Sequence, residues 1–244
     1  MSNSHFQFKQ VTIQQDRCAM KVTTDGCLFG AWIAEKVGNR ESEVRNCLDI
    51  GTGTGLLSLM LMQKNPSCQI DAIEIDANAA AQATDNLKAS PWADKINIHQ
   101  VDVKEYQSKE NYDLIISNPP FYENELKSGN TSKNIAHHSS GLLLKDLLTI
   151  IKNKLSPDGA FCLLLPYKRN EEMRSLLADQ GLAITQITFV RQSTNHDFFR
   201  IMLMGKIEDE SISETVIEEI AIKDEQQQYT PAFVALLKDY YLYL

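Results

Sequence analysis

Cys47-Leu48-Asp49-Ile50-Gly51-Thr52-Gly53-Thr54-Gly55 is a short apolar run that breaks into three alternating glycines and passes at once into the helical stretch Leu56 to Gln63. A strand, a glycine turn and a helix in that order let the backbone approach a ligand at a helix N-terminus, where unpaired N–H groups and the helix dipole face outward. A nucleoside is the expected occupant. The spacing is GxGxG, unlike the GxGxxG of dinucleotide turns, and Asp49 stands two residues ahead of the first glycine. Asp49, Gly51, Gly53 and Gly55 are therefore candidate ligand-holding positions, and three alternating glycines are more than an ordinary tight turn needs.

Downstream, short apolar runs alternate with helical patterns: Ile70 to Ile75, Ile96 to Val101, Tyr112 to Ser117 and Ala160 to Leu165. Such alternation predicts a doubly wound, mostly parallel sheet with helices on both faces. The last two strand-like runs, Ile184 to Val190 and Phe198 to Met204, have only Arg191 to Asp197 between them. That connection is too short for a helical crossover, so the pair is expected to be antiparallel and to close a seven-stranded α/β fold. Upstream, Phe6-x-Phe8 and Val11-x-Ile13 alternate like a small antiparallel unit, and Thr24-Asp25 offers a cap for a helix through Leu28, Phe29, Trp32 and Ile33. Residues 1–205, including an N-terminal extension over 1–45, read as one domain. Residues 206–244 read as an acidic extension in which Thr230-Pro231 opens a docked terminal helix from Phe233 to Leu244; the isoleucines before it fit one more strand only poorly.

In this parallel order, strand ends on one side line a ligand crevice. Glu74 ends the second strand, at close to the spacing where an acid accepts from ribose hydroxyls. Asp76 follows and reads first as the N-cap of the helix Ala77 to Ala89, with a place beside the same ligand as its second use. Asp102, at the end of the third strand, is either an acceptor for a base amine or a solvated loop aspartate. The fourth strand ends in Asn118-Pro119-Pro120-Phe121. Proline has no N–H and pushes the preceding residue into extended geometry, so Asn118 and Pro119 present open acceptors beside an aromatic ring. The amide oxygen of Asn118 and the carbonyl of Pro119 suit an exocyclic NH2, and Phe121, with Tyr122, suits the face of a base. Asn118, Pro119, Pro120 and Phe121 form the candidate catalytic set.

The composition of the 244 residues narrows the rest. With 43% apolar and 23% charged residues the chain can bury a full core. No run approaches the roughly 18 apolar residues of a membrane span, and the polar start has no signal-peptide pattern, so a cytoplasmic protein is expected. Cys18, Cys27, Cys47, Cys68 and Cys162 lack CxxC spacing and fit reduced thiols; no metal site is expected, and His137-His138 has no ligand-spaced partner. The net charge of −8 speaks against a phosphate-rich partner, yet residues 206–244 alone carry 9 acidic against 3 basic residues. From Glu123 to Lys206 there are 11 basic and 8 acidic residues, which permits RNA; Arg191, Arg200 and Lys206 are the candidate phosphate contacts, while Lys168-Arg169 reads as a solvated helix start.

With these residues in hand, the chain resembles class I S-adenosylmethionine-dependent methyltransferases with a Rossmann-like fold. More closely it resembles the bacterial tRNA1(Val) adenine N6-methyltransferase family. The likeness is carried by Phe8-Lys9-Gln10, Asp16 to Val22, Thr24-Asp25-Gly26 and Gly30-Ala31-Trp32. It continues through Asp49 to Gly55, Glu74-Ile75-Asp76, Asn118 to Phe121 and Tyr229 to Phe233, and so spans nearly the whole chain. The resemblance implies S-adenosylmethionine as methyl donor, and Lys21, Thr24 and Asp25 near it, joined by Asp49, Gly51, Gly53, Gly55, Glu74, Asp76, Asp102 and Asn118. It implies methyl transfer to N6 of an adenosine beside the anticodon of a tRNA, by a monomer without metal or membrane. The family pattern has tyrosine where Phe121 stands, a change that keeps the stacking ring. Glutamine N5-methyl transfer, another RNA or DNA amino-methylation and a non-catalytic S-adenosylmethionine-binding module remain the alternatives, since the glycine loop and Asn-Pro-Pro-aromatic are shared with several amino-methyltransferases. Only some 45 residues precede Asp49, less than the helical N-terminal domain that glutamine methylation implies.

Overall fold

A computed structural model describes residues 4–38, 43–108, 110–119, 142–209 and 214–244. The chain begins with the hairpin β1 (His5–Gln7) and β2 (Thr12–Gln14), followed by α1 (Thr24–Gly38). The Rossmann-like alternation then runs β3 (Asn46–Ile50), α2 (Leu56–Lys64), β4 (Gln69–Glu74), α3 (Ala77–Lys88), β5 (Ile96–Gln100) and β6 (Tyr112–Ser117). After residue 141 come α4 (Leu144–Lys154), β7 (Leu155–Pro166), a single 3₁₀ turn (Tyr167–Arg169), α5 (Asn170–Asp179), β8 (Leu182–Ser193), β9 (Phe198–Ile207), β10 (Val216–Lys223) and α6 (Pro231–Leu237). The small unit at the start, the five parallel strands and the antiparallel β8–β9 pair all stand where the apolar runs put them.

The main sheet has the order β10-β8-β9-β7-β6-β3-β4-β5, with β7, β6, β3, β4 and β5 parallel and β9 antiparallel to both β7 and β8. It therefore has eight strands, one more than the seven expected. The extra strand is β10, which joins β8 in parallel from Val216↔Gln186 to Lys223↔Ser193. It was hard to see in sequence because it is an edge strand: Val216 to Glu219 are exposed, and only Ile220 and Ile222 are buried. Its Glu218 accepts hydrogen bonds from Gln186 Nε2 at 2.9 Å and Thr188 Oγ1 at 3.3 Å, so a charge that reads as linker composition ties the edge strand to its neighbour.

Both faces of the sheet are covered. Cys47, Ile70, Leu114, Ile116, Cys162 and Leu164 pack with α1, α2 and α6 through Phe29, Trp32, Leu59 and Phe233. The alternate positions Leu48, Ile73, Ile115, Phe161, Leu163 and Leu165 pack with α4 and α5 through Leu148, Ile151 and Met173. Strands buried on both faces read as unbroken apolar runs, which is why the sequence shows little period-2 alternation here. The five cysteines are free and buried, filling the core as small apolar groups. Among the described residues no helix is long and apolar enough to cross a membrane, and no group of three or more metal-ligating side chains occurs.

Two helix ends differ from expectation. The side chain of Thr23, not Thr24, starts α1, its Oγ1 accepting from Gly26 N at 3.2 Å while its carbonyl accepts from Cys27 N. The terminal helix is capped by Thr230 as its sequence indicates, but ends at Leu237 instead of continuing to Leu244. Beyond it the chain turns back, and Lys9 N donates to Tyr240 O at 2.8 Å, joining the two termini across α1 and α2.

Candidate active site

The β3–β6 register pairs Ile50 with Ser117, so the glycine loop and Asn118 leave the same edge of the sheet from adjacent strands. Ser117 Oγ donates to Ile50 O at 2.8 Å and locks the two strand ends together. Gly51, Gly53 and Gly55 all adopt positive φ, at 74°, 57° and 82°. A side chain would be strained at each, and around Gly51 and Gly53 nothing lies within 4 Å of where a Cβ would stand, so open space lies above the loop. The loop is pinned from below, with Gly51 N and Thr52 N donating to Ile73 O at 2.9 and 3.0 Å.

Asp49 lies beneath this loop and is fully buried. Its Oδ2 accepts from Thr52 Oγ1 and Ser58 Oγ, both at 2.7 Å, joining strand, turn and the first helical turn of α2. Burial pushes its carboxyl up to about 6 against the pull of the Ser58 and Thr52 hydrogen bonds. Asp49 thus shapes the loop from within and has no surface toward the open space. Glu74 closes the loop from the β4 side, with Oε2 accepting from Gly53 N and Oε1 from Asp76 N, both at 2.9 Å. Asp76 caps α3 by accepting from Ala79 N at 2.8 Å and is exposed. Asp102 lies beside the end of β4, since Val101 N donates to Glu74 O; its Oδ1 accepts from Lys104 N at 2.9 Å, so one oxygen serves a turn.

The N-terminal block is clamped against this assembly. Asn86 of α3 accepts from Gln14 N and donates from Nδ2 to Gln14 O and Thr54 O, each at 2.9 Å, while Gln15 Oε1 accepts from Val22 N at 2.8 Å. Cys18 is carried next to the acids: burial, then the charges of Glu74 and Asp76, push its thiol up to about 11. Lys21 and Thr24 are exposed on the approach to α1. Asp25 is drawn the other way, toward β9, where Arg200 Nε donates to its Oδ2 at 2.7 Å. Burial alone would raise the Asp25 carboxyl, but hydrogen bonds from Thr23 and Arg200 outweigh it and hold the group below the usual range. Next to it, a Cβ on Gly26 would meet Thr23 Oγ1 at 3.1 Å, Leu56 Cδ2 at 3.3 Å and Asn118 Nδ2 at 3.9 Å. The start of α1, the start of α2 and the Asn118 amide therefore meet at one point.

Asn118 Oδ1 is buried and has no hydrogen-bond partner among the described residues. A buried amide oxygen left unpaired costs free energy; Asp49 Oδ1 and Trp32 Nε1 share that state, but Asn118 alone of the three stands at a strand end beside the open glycine loop. Pro119 is buried beside it; Pro120, Phe121, Tyr122 and His137-His138 lie outside the described residues. The three candidate phosphate contacts all have protein partners: Arg191 lies over the Phe198 ring and pairs with Glu219, Arg200 with Asp25 and Lys206 with Asp209. Arg169 pairs with Glu172 and is only partly exposed, so it is a bonded helix-start residue and not the solvated one expected. Sequence reasoning missed Ser58, Ser117 and Asn86. The available signal was a polar residue inside an apolar run for the two serines, whereas Asn86 in a polar helix gave none.

Residues 32–163 match the family model of the methyltransferase small domain. The chain is 40% identical to the tRNA1(Val) (adenine(37)-N6)-methyltransferase of Dyadobacter fermentans, over 98% of each chain. Proteins of the same name from Parabacteroides distasonis, at 36% identity over 99% of each chain, and Yersinia pseudotuberculosis, at 35% over 97% of this chain and 92% of that one, are similar throughout. Among solved structures, a predicted O-methyltransferase from Agrobacterium tumefaciens shares the fold with a TM-score of 0.63 at 15% identity, covering 88% of this chain and 96% of that one. The ribosomal protein L11 methylase of Lactobacillus delbrueckii does so with a TM-score of 0.54 at 16% identity, over 74% and 78%. The chain belongs to the methyltransferase small domain family and, within it, to the tRNA1(Val) (adenine(37)-N6)-methyltransferases.

Proposed function

We propose that this chain transfers a methyl group from S-adenosylmethionine to the exocyclic N6 of an adenosine in tRNA, at the position next to the anticodon that its relatives' names specify. The observation that carries the reading is the buried Oδ1 of Asn118, without a partner among the described residues and one strand away from an open glycine loop. The residues fit the donor: Gly51 and Gly53 leave room for a nucleoside against bare backbone, and Glu74 is fixed by two N–H groups with its remaining lone pairs available to ribose hydroxyls. In this reading Lys21, Thr24 and Asp76 are assigned to the donor's surroundings, the second oxygen of Asp102 to the base amine, and Asp49 to supporting the loop. When bound, S-adenosylmethionine supplies a methyl carbon on a sulfonium, a leaving group that departs as a neutral thioether.

The rest is positioning. Asn118 Oδ1 and the Pro119 carbonyl accept from the two N6 hydrogens, which turns the nitrogen lone pair out of the ring plane and toward the methyl carbon. Nitrogen forms its bond to carbon as the carbon–sulfur bond breaks, and the methylated amine, now cationic, releases a proton to solvent. Both protein groups are acceptors, so they stabilise the charge that develops on the amine without a strong base. Phe121 is the ring assigned to stack on the flipped adenine, and Pro120 completes the proposed set. The reaction needs one active site on one chain, and a monomer acting in the cytoplasm is the form proposed.

Mass spectrometry of nucleosides from unmodified tRNA, incubated with the protein and labelled S-adenosylmethionine, tests this. N6-methyladenosine beside the anticodon is the expected product; label on a protein glutamine, or on no nucleoside, would overturn the reading.

A further inference from the structure

Three aromatic rings gather at the same edge of the sheet as Asn118, on the far side of β7. Tyr167 follows Pro166 directly, Phe189 lies in the second half of β8 and Phe198 begins β9. Their centroids lie 5.3 Å apart for Tyr167 and Phe198, 5.6 Å for Tyr167 and Phe189 and 5.2 Å for Phe189 and Phe198. The Arg191 guanidinium lies over Phe198 at 3.6 Å from the ring centroid, held there by donating to His196 O at 2.8 Å. Phe189 packs on the core below, but Tyr167 is 38% exposed and Phe198 half-buried, so this cluster opens to solvent.

The β6–β7 register pairs Ser117 with Leu163, which sets Asn118 level with Leu164 and Tyr167 only three residues further along the neighbouring strand. At about 3.3 Å per residue and about 4.8 Å between strands, the Tyr167 backbone stands roughly 10 Å from that of Asn118, with Phe198 one strand and Phe189 two strands further out. A flipped adenine at Asn118 leaves its neighbours in the strand unstacked, and unstacked bases seek aromatic faces and guanidinium planes. We infer that Tyr167, Phe198 and Arg191 form a stacking platform for a single-stranded nucleotide adjoining the methylated adenosine. This inference rests on the tRNA reading above and adds the residues that hold the substrate's flank. It also shows how an acidic protein grips RNA: stacking faces do the work that a basic patch does elsewhere.

The test is steady-state methylation of unmodified tRNA by Tyr167→Leu and Tyr167→Phe, with unfolding temperature as the control for the fold. The leucine variant should raise the KM for tRNA roughly tenfold, with kcat and S-adenosylmethionine affinity unchanged, while the phenylalanine variant stays near wild type. Substrates made abasic at single positions beside the target then identify the partner base, because at that position the leucine substitution should cost nothing further. Wild-type KM in the leucine variant, or losses that add at every abasic position, would overturn the platform. So would altered sedimentation with KM untouched, which would place a second copy of the chain on these rings. If the wild type methylates no tRNA, the reading of function falls separately, and the platform is judged by fluorescence anisotropy of a labelled anticodon stem-loop: weaker binding by Tyr167→Leu supports it, and equal or absent binding refutes it.

Discussion

On the β3–β4–β5 side of the cleft, the acids are engaged with their own loops: Asp49 accepts from Thr52 and Ser58, Glu74 from Gly53 and Asp76, and Asp102 from Lys104. On the β6–β7–β9 side, Asn118 Oδ1 is left without a partner and Tyr167 stands open to solvent. The first region is bonded within itself before any ligand arrives, the second oxygen of Asp49 excepted, and offers backbone and empty space. The second offers unsatisfied surface. A donor that is replaced at every turnover but always binds in the same pose is served by a pocket preorganised by internal bonds. A flipped base pays its own unstacking, and is served by groups that gain their partners only when it arrives.

Asn118→Ala breaks this contrast most severely. It removes the acceptor that orients the amine and leaves the glycine loop untouched, so kcat should fall about 10²–10³-fold, by analogy with the loss of one charge-stabilising group in other sites. Label transfer measures the rate and calorimetry the affinity for S-adenosylmethionine, which should stay near wild type. A variant that lost cofactor affinity but kept its kcat would reverse the roles of the two regions.

Glu74→Ala is the reciprocal substitution. It frees the Gly53 and Asp76 N–H groups and deletes the carboxylate proposed for the ribose, a loss of charge-assisted hydrogen bonds worth about 1.5–3 kcal/mol. The Kd for S-adenosylmethionine should rise about 10–100-fold by calorimetry, while binding of a labelled anticodon stem-loop stays unchanged. A parallel loss of RNA affinity would show that the two regions are not separable.

The first region was the more legible in sequence, for a physical reason. GxGxG and a strand-end acid at fixed offset follow from local backbone geometry, and the sheet register then places Gly51 and Asn118 side by side with no further information. What could not be read was set by contacts between distant segments. Arg191 and Arg200 look alike in sequence, yet one lies on an aromatic ring and the other pairs with an aspartate 175 positions away. Strand β10 was masked because an edge strand needs only two buried side chains, and its glutamates read as linker. The aromatic cluster follows the same logic: Tyr167, Phe189 and Phe198 become neighbours only once β8 and β9 fold back beside β7.

Asp49 sharpens the comparison through pH. Its carboxyl is lifted from 3.8 to about 6 by burial, so the folded state holds its proton more tightly than the unfolded chain. A raised acid contributes stability at low pH and loses it as pH climbs from about 4 to about 6. Asp49→Asn carries no such charge, so its denaturation midpoint relative to wild type should improve through that window and then level off. The difference should be on the order of 2–3 kcal/mol. Urea titrations of both proteins at several pH values check this, and a constant difference would mean that Asp49 is ionised at no cost inside the fold.

The smallest expected effect lies where the two regions touch. Arg200 of β9 and Asp25 of α1 join the hairpin side to the N-terminal block, with side chains 26% and 16% exposed. A half-buried pair of this kind should show a coupling of about 1 kcal/mol in a double-mutant cycle of Arg200→Met and Asp25→Asn read by urea denaturation. Asp25 is depressed below its usual value, so the pair contributes above the unfolded pKa near 3.8 and is lost as pH falls through the lower folded value. The coupling should therefore be full at neutral pH and vanish in strong acid. Because Gly26 lies against the Asn118 amide, loosening this pair should also lower kcat a few-fold with S-adenosylmethionine affinity unchanged. Should affinity fall instead, the start of α1 would belong to the preorganised side of the cleft, and the boundary between the two regions would run between Gly26 and Asn118.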